Sequence, residues 1–221
     1  MNIVVDYGRG NLYSLGQALR HIDVDHVIVP DPTGFERATH IIVPGVGAFG
    51  DASRELAARG FVAPLRAAAA RGVPILGICV GCQLLLSRGE EFGDHAGLDL
   101  IPGTVSRLPD PQPDDPEGVR VPNVGWRRLD IRASTAGLDA VGDGGFVYFV
   151  HSYAPFPDHP ADILASVRIN NRDVPAAVGR SNVTGFQFHP EKSGPTGLAI
   201  LSRFFGHDGM VRATATDRQS A

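Results

Sequence analysis

Short apolar runs alternate with stretches of helical spacing through the first half of the chain. Ile3-Val4-Val5 is β-branched and ends at Asp6-Tyr7-Gly8, which predicts a strand and then a turn. Leu12, Leu15, Ala18 and Leu19 recur at the spacing of one helix face. Strands are predicted over Val24 to Val29, closed by Pro30-Asp31-Pro32, and over Ile41 to Val43, closed by Pro44-Gly45. Leu56 to Ala70 reads as helix with a break near Gly60, Val73 to Ile78 as a fourth strand, and Gln83 to Leu86 as the opening of another helix. Continuous apolar strands separated by helices predict a parallel sheet covered on both faces.

The pattern changes after residue 108. Leu108 to Pro116 is a Pro/Asp segment read as a mobile loop. Strand-like runs then follow with little helix between them: Trp126 to Ile131, Gly145 to His151, Ile163 to Ile169, Ala176 to Val178 and Val183 to Phe188. Runs this close together favour antiparallel pairing. A last amphipathic helix is expected from Pro195 to Phe205, then a polar, frayed tail over residues 207–221. The reading is a single α/β domain over residues 1–206. Its sheet is mixed and mostly parallel, flanked by helices, with antiparallel strands in the C-terminal half.

Composition narrows the function classes. With 221 residues and 43% hydrophobic positions, the chain can bury a core without disulfides or metal. Two cysteines exclude a disulfide scaffold. A formal net charge of −4 argues against a nucleic-acid partner. The longest apolar stretch, Val73 to Leu86, is interrupted by Pro74, Gly77, Gly81 and Gln83, so no membrane span is expected. The start lacks a basic region before its apolar run, which points to the cytoplasm.

Three segments could carry chemistry. Gly77-Ile78-Cys79-Val80-Gly81 follows an apolar strand and precedes a helix, the setting of a nucleophile elbow with Cys in place of Ser. The turn exposes the side chain, and helix N-terminal N–H groups favour its thiolate. Cys79 and Cys82 also form a C-x-x-C pair, which admits a redox or binding reading but lacks a second pair for structural zinc. Gly185 to Ser193 delivers His189 at a strand end with Glu191 two residues on, a base and the group that would orient it. Pro44 to Gly50 is glycine-rich. Read literally, Gly45-x-Gly47-x-x-Gly50 is a dinucleotide fingerprint, yet the next strand ends at Gly77-Ile78-Cys79 without the acid that fingerprint requires. A turn whose N–H groups join that of Val80 as an oxyanion hole fits better.

These segments together resemble the class I (triad) glutamine amidotransferases, on Gly77 to Gln83 and Phe188-His189-Pro190-Glu191. Val5 to Leu12, Pro44 to Phe49, Gly125-Trp126, Val150 to Tyr153 and Glu191-Lys192-Ser193 narrow the resemblance to the glutaminase subunits of imidazole glycerol phosphate synthases, of histidine biosynthesis. It runs from Ile3 to about Phe205.

The resemblance implies that Cys79 attacks the glutamine side-chain amide, that His189 moves the proton and that Glu191 orients His189. It implies an oxyanion hole at Val46, Gly47 and Val80, with a gating peptide flip in that segment, and substrate contacts at Gln83, Glu91 and Ser152. His151 is read as structural. No cofactor or metal is implied. The implied partner is a separate cyclase subunit with a (β/α)8 barrel, which takes the ammonia and forms a heterodimer with this chain through Lys192 and Asn123. Two departures stand out. Cys82 replaces a frequent Met, and Asn123 stands where His is usual, which leaves open a different acceptor enzyme such as a sugar amidase.

Overall fold

The computed structural model describes residues 1–111, 118–133, 137–141 and 145–206. Most of the Pro/Asp segment and the whole tail at 207–221 lie outside the described residues.

An eight-stranded mixed sheet organises the domain, in the order β2-β1-β3-β4-β14-β13-β12-β9. Its parallel part comprises β1 (Asn2–Val5), β2 (Val27–Val29), β3 (His40–Gly45), β4 (Ile75–Cys79) and β14 (Val183–Phe186). The antiparallel part adds β13 (Arg172–Arg180), β12 (Ile163–Ile169) and β9 (Asp130–Ile131). All five residues of β4 are buried, as expected of a strand covered on both faces. The helices of the parallel half are α1 (Leu12–His21), α2 (Phe49–Ala58), α3 (Val62–Ala70) and α4 (Val80–Leu84), with α5 (Gly194–Phe204) at the C-terminal end. Helix α1 starts where the Asn11 side chain accepts the Ser14 N–H at 3.3 Å, a cap that contributes about 1 kcal/mol. It buries Leu15, Ala18 and Leu19.

The expected single sheet is joined by two smaller ones. A four-stranded sheet runs β11-β7-β5-β6, from Tyr153–Pro157, Ile101–Arg107, Leu86–Gly89 and His95–Ala96 respectively. A two-stranded ribbon pairs β8 (Asn123–Arg128) with β10 (Phe146–His151). Three local expectations change accordingly. The helix expected to open at Gln83 starts at Val80 and ends by Leu84, because Leu86 leaves it to pair with Ile101. The run Trp126 to Ile131 splits into two strands in different sheets. The strand at Val24 begins only at Val27, since the Val24 N–H closes α1 on the Leu19 carbonyl at 2.9 Å. Among the described residues no helix is long and apolar enough to cross a membrane.

Three neighbouring parallel strands end together. Gly45 at the end of β3 lies opposite Cys79 at the end of β4, and Phe186 at the end of β14 lies opposite Ile78. Carboxyl ends of parallel strands are where open α/β sheets place their ligands.

Candidate active site

Cys79 is the last residue of β4 and the cap of α4, with φ 56° and ψ −113°. A non-glycine residue at positive φ costs about 1–3 kcal/mol and persists where the surroundings enforce it. The enforcement comes from close packing. A Cβ on Gly81 would fall 1.8 Å from the Val43 carbonyl oxygen, and one on Gly77 would fall 2.5 Å from the Gly81 oxygen. Only glycines let the start of α4 sit this tightly on β3 and β4. Val80 is the first residue of α4, so its N–H has no partner within the helix and lies beside the sulfur's residue.

His189 arrives from β14. Its N–H donates to the Tyr148 carbonyl at 2.9 Å, which ties the turn to β10. The Ser193 hydroxyl fastens the same turn, donating to the His189 carbonyl at 2.6 Å and accepting the Tyr148 N–H at 3.0 Å. The imidazole is buried. Its Nδ1–H donates to Glu191 Oε1 at 2.8 Å, and the ring lines the same cleft as Cys79. Burial works against a proton on His189. The hydrogen bonds with Cys79 and Glu191 and their negative charges outweigh it, raising the pKa from 6.5 to about 10. Such an arrangement is chemically suited to serve as nucleophile, base and orienting carboxylate in sequence.

A cleft of about 290 Å³ opens above Cys79, near the small end of ligand pockets. Val46, Gly47, Val80, Gln83, Glu91, Ser152 and His189 all line it with Cys79. The two glycine-rich turns therefore face one cavity, as expected from the sequence. Glu91 also accepts the Phe49 N–H at 2.7 Å, so its carboxylate caps α2 at the cleft wall. The Val46 N–H is donated to the Arg9 carbonyl at 3.2 Å. His151 lines the cleft in a structural setting, donating from Nδ1 to the Tyr153 carbonyl at 2.9 Å. Cys82 is fully buried, and burial holds its thiol well above the ordinary range, as for a packing residue.

Asn123 is corrected by the structure. It was expected at a partner surface, yet it has no exposure. Its side chain donates to His151 Nε2 at 2.9 Å and accepts from Arg127 Nε at 3.1 Å. Its neighbours instead face out. Val124, Trp126, Phe146 and Val150 are exposed on one face of the β8–β10 ribbon, with Tyr148 packed edge-on against Trp126. Lys192 is exposed in the turn that follows His189.

Sequence reasoning missed Gln187. It is fully buried, and its amide nitrogen lies 3.8 Å from Cys79 Sγ. The available signal was a lone amide in the run Phe186-Gln187-Phe188-His189, two residues before the base.

The family profile "Glutamine amidotransferase class-I" matches residues 3–207. The imidazole glycerol phosphate synthase subunit HisH of Geobacillus thermodenitrificans is 45% identical over 203 residues, covering 92% of this chain and 94% of its own length. The HisH subunits of Syntrophotalea carbinolica and Streptococcus gordonii are 41% and 44% identical, each over 92% of this chain. A crystal structure of a glutamine amidotransferase superposes with a TM-score of 0.70 at 18% identity, covering 94% of this chain and 99% of the other. PurLQS from Thermotoga maritima gives a TM-score of 0.68 at 19% identity, covering 93% and 97%. These two likenesses concern the fold alone.

Proposed function

Because the chain belongs to the class I glutamine amidotransferases, and within them to the HisH subunits, we propose that Cys79, His189 and Glu191 act as its triad and that the ammonia passes to a cyclase subunit. Cys79 Sγ attacks the side-chain carbonyl carbon of glutamine. His189 takes the thiol proton and returns it to the departing nitrogen, which leaves as ammonia. Glu191 fixes the ring through Nδ1, which leaves the other nitrogen for the proton of the thiol. Water, activated by the same imidazole, then hydrolyses the glutamyl thioester to glutamate.

The tetrahedral intermediate carries an oxyanion. The Val80 N–H is one donor for it, and Val46 or Gly47 supplies another once that segment turns its N–H inward. The Glu91 carboxylate suits the α-ammonium of the substrate, and Gln83 and Ser152 complete the cleft.

The partner reading rests on the ribbon. An exposed apolar face with aromatic residues is the composition of an interface core, and Lys192 adds a cation at its side. We place on it the cyclase, a (β/α)8 barrel, in a heterodimer working in the cytoplasm on imidazole glycerol phosphate synthesis. The 45% identity to a HisH subunit over 92% of the chain supports this acceptor over a sugar-modifying one, the alternative that Asn123 left open.

The observation that carries the triad is the buried His189–Glu191 pair, 2.8 Å apart, with His189 lining one cleft with Cys79. Glutamine hydrolysis is measured with and without the cyclase and its nucleotide ligand. Cys79→Ala is expected to abolish it in both cases. Undiminished hydrolysis by that variant would overturn the assignment.

A further inference from the structure

A chain of amides stands behind the nucleophile. Gln187 has no exposure. A carboxamide in such a setting needs partners for both ends, since a buried polar atom left alone is costly. Gln187 Oε1 accepts from Gln83 Nε2 at 3.0 Å, and Gln187 Nε2 faces Cys79 Sγ at 3.8 Å. The same Gln83 nitrogen donates to the Tyr153 carbonyl at 3.0 Å.

The direction of this chain is determined by one backbone group. A carbonyl only accepts, so Tyr153 forces Gln83 to turn its NH2 inward. The second hydrogen of that NH2 meets Gln187, which must then present oxygen to Gln83 and NH2 to the sulfur. Reversing either amide sets oxygen against oxygen or NH2 against NH2. The Tyr153 carbonyl is itself fixed by the His151 Nδ1–H at 2.9 Å, and His151 Nε2 by Asn123. The donor on Cys79 is thus built into the protein and does not wait for substrate.

We propose that Gln187 is a positioning residue that holds an N–H donor on Cys79 Sγ, orienting the thiol and stabilising its negative charge when His189 takes the proton. Gln83 has a second task here, which is to lock the direction of that donor. The inference rests on Cys79 being the nucleophile, but its test does not use glutamine.

The test is the rate of iodoacetamide alkylation of Cys79 in the full chain against pH, with the modified cysteine located by mass spectrometry. Gln187→Met keeps the volume and removes the donor. Its alkylation at pH 7 is expected to slow about tenfold, the size of one hydrogen bond to a charged atom, with the profile displaced to higher pH. Gln187→Glu is expected to be slower still at high pH, where a carboxylate faces the sulfur. With the cyclase present, Gln187→Met is expected to lower kcat with KM nearly unchanged. A lower melting temperature with an alkylation profile that superimposes on the unsubstituted protein would mean packing only, and overturns the proposal. So would a Gln187→Glu protein that reacts as fast as the unsubstituted one. If neither variant folds, Gln83→Met decides: it releases the lock without touching sulfur, and is expected to slow alkylation about threefold in the same direction. No change there overturns the proposal. Glutamine hydrolysis by Cys79→Ala would sink the triad and leave these profiles interpretable.

Discussion

The Val46 N–H is bonded to the Arg9 carbonyl at 3.2 Å although Val46 lines the cleft above Cys79. A donor committed to a backbone carbonyl is not available to a developing oxyanion. Loss of one such donor lowers kcat by about a hundredfold to a thousandfold. The chain alone is therefore expected to be a poor glutaminase. Binding of the cyclase with its ligand should raise kcat by a factor of that order, with a smaller change in KM. Steady-state glutaminase assays on the chain and on the complex check this. Equal kcat values in the two would rule out a closed oxyanion site in the free chain.

Glu191 is the second test. Its carboxylate is one of the causes that raise His189, after burial, which lowers it, and alongside the Cys79 hydrogen bond. Glu191→Gln keeps a hydrogen-bond acceptor at Nδ1 but removes the charge. The base then weakens, so kcat is expected to fall by roughly a hundredfold or more. The acid limb and the base limb of the pH–rate profile should both move, with the His189 limb displaced to lower pH. A profile of unchanged shape with only a lower plateau would count against the orienting role.

How far the sequence reached depends on what each segment encodes. The elbow at Gly77 to Gly81 was legible because its glycines are demanded by contacts, such as the 1.8 Å approach that a Gly81 Cβ would make to the Val43 oxygen. The pairing of His189 with Glu191 was legible because residue type and spacing put a carboxylate within reach of the ring. The second sheet was not. Its β7 contains Pro102 and Gly103, and β11 contains Pro155 and Pro157, residues that argue against a strand until an edge or a neighbour accommodates them. Asn123 was misplaced by one step of register. It and Val124 are adjacent, and adjacent residues on a strand face opposite sides, so one is buried and the other exposed. Gln187 escaped because a sequence does not say which way an amide turns. That direction is fixed by the Tyr153 carbonyl, 34 residues away in the chain.

Acid stability offers a third test, through His151. Burial is the main cause holding its pKa down, from 6.5 to about 4; the hydrogen bond to the Tyr153 carbonyl opposes this, and His189 and Arg127 reinforce it. Between those values the unfolded chain binds a proton at His151 that the native protein does not. Stability is therefore complete above pH 6.5 and falls as pH drops toward 4, by about 3 kcal/mol from this group. His189 has the opposite sign: its contribution is complete below 6.5 and is lost as pH rises toward 10. Urea midpoints at pH 7 and pH 4.5 for the unsubstituted protein and His151→Gln check the acid side. The variant should lose less stability over that interval. Equal losses would mean that His151 takes up its proton as readily in the folded protein.

The backbone at Cys79 provides the last test. With φ 56° and ψ −113°, the proposed nucleophile sits where an L side chain is strained and glycine is not. Cys79→Ala and Cys79→Gly both remove the sulfur, so both should lack glutaminase activity. They differ in the strain that remains. Alanine retains its Cβ in the disfavoured region, whereas glycine relaxes there but gains entropy in the unfolded chain. That entropy term is about 0.5–1 kcal/mol in favour of alanine, and the strain is about 1–3 kcal/mol in favour of glycine. Cys79→Gly is therefore expected to be the more stable of the two, by about 1 kcal/mol, in urea unfolding at pH 7. A higher midpoint for Cys79→Ala would show that the strain at the elbow is smaller than the entropy term of about 0.5–1 kcal/mol.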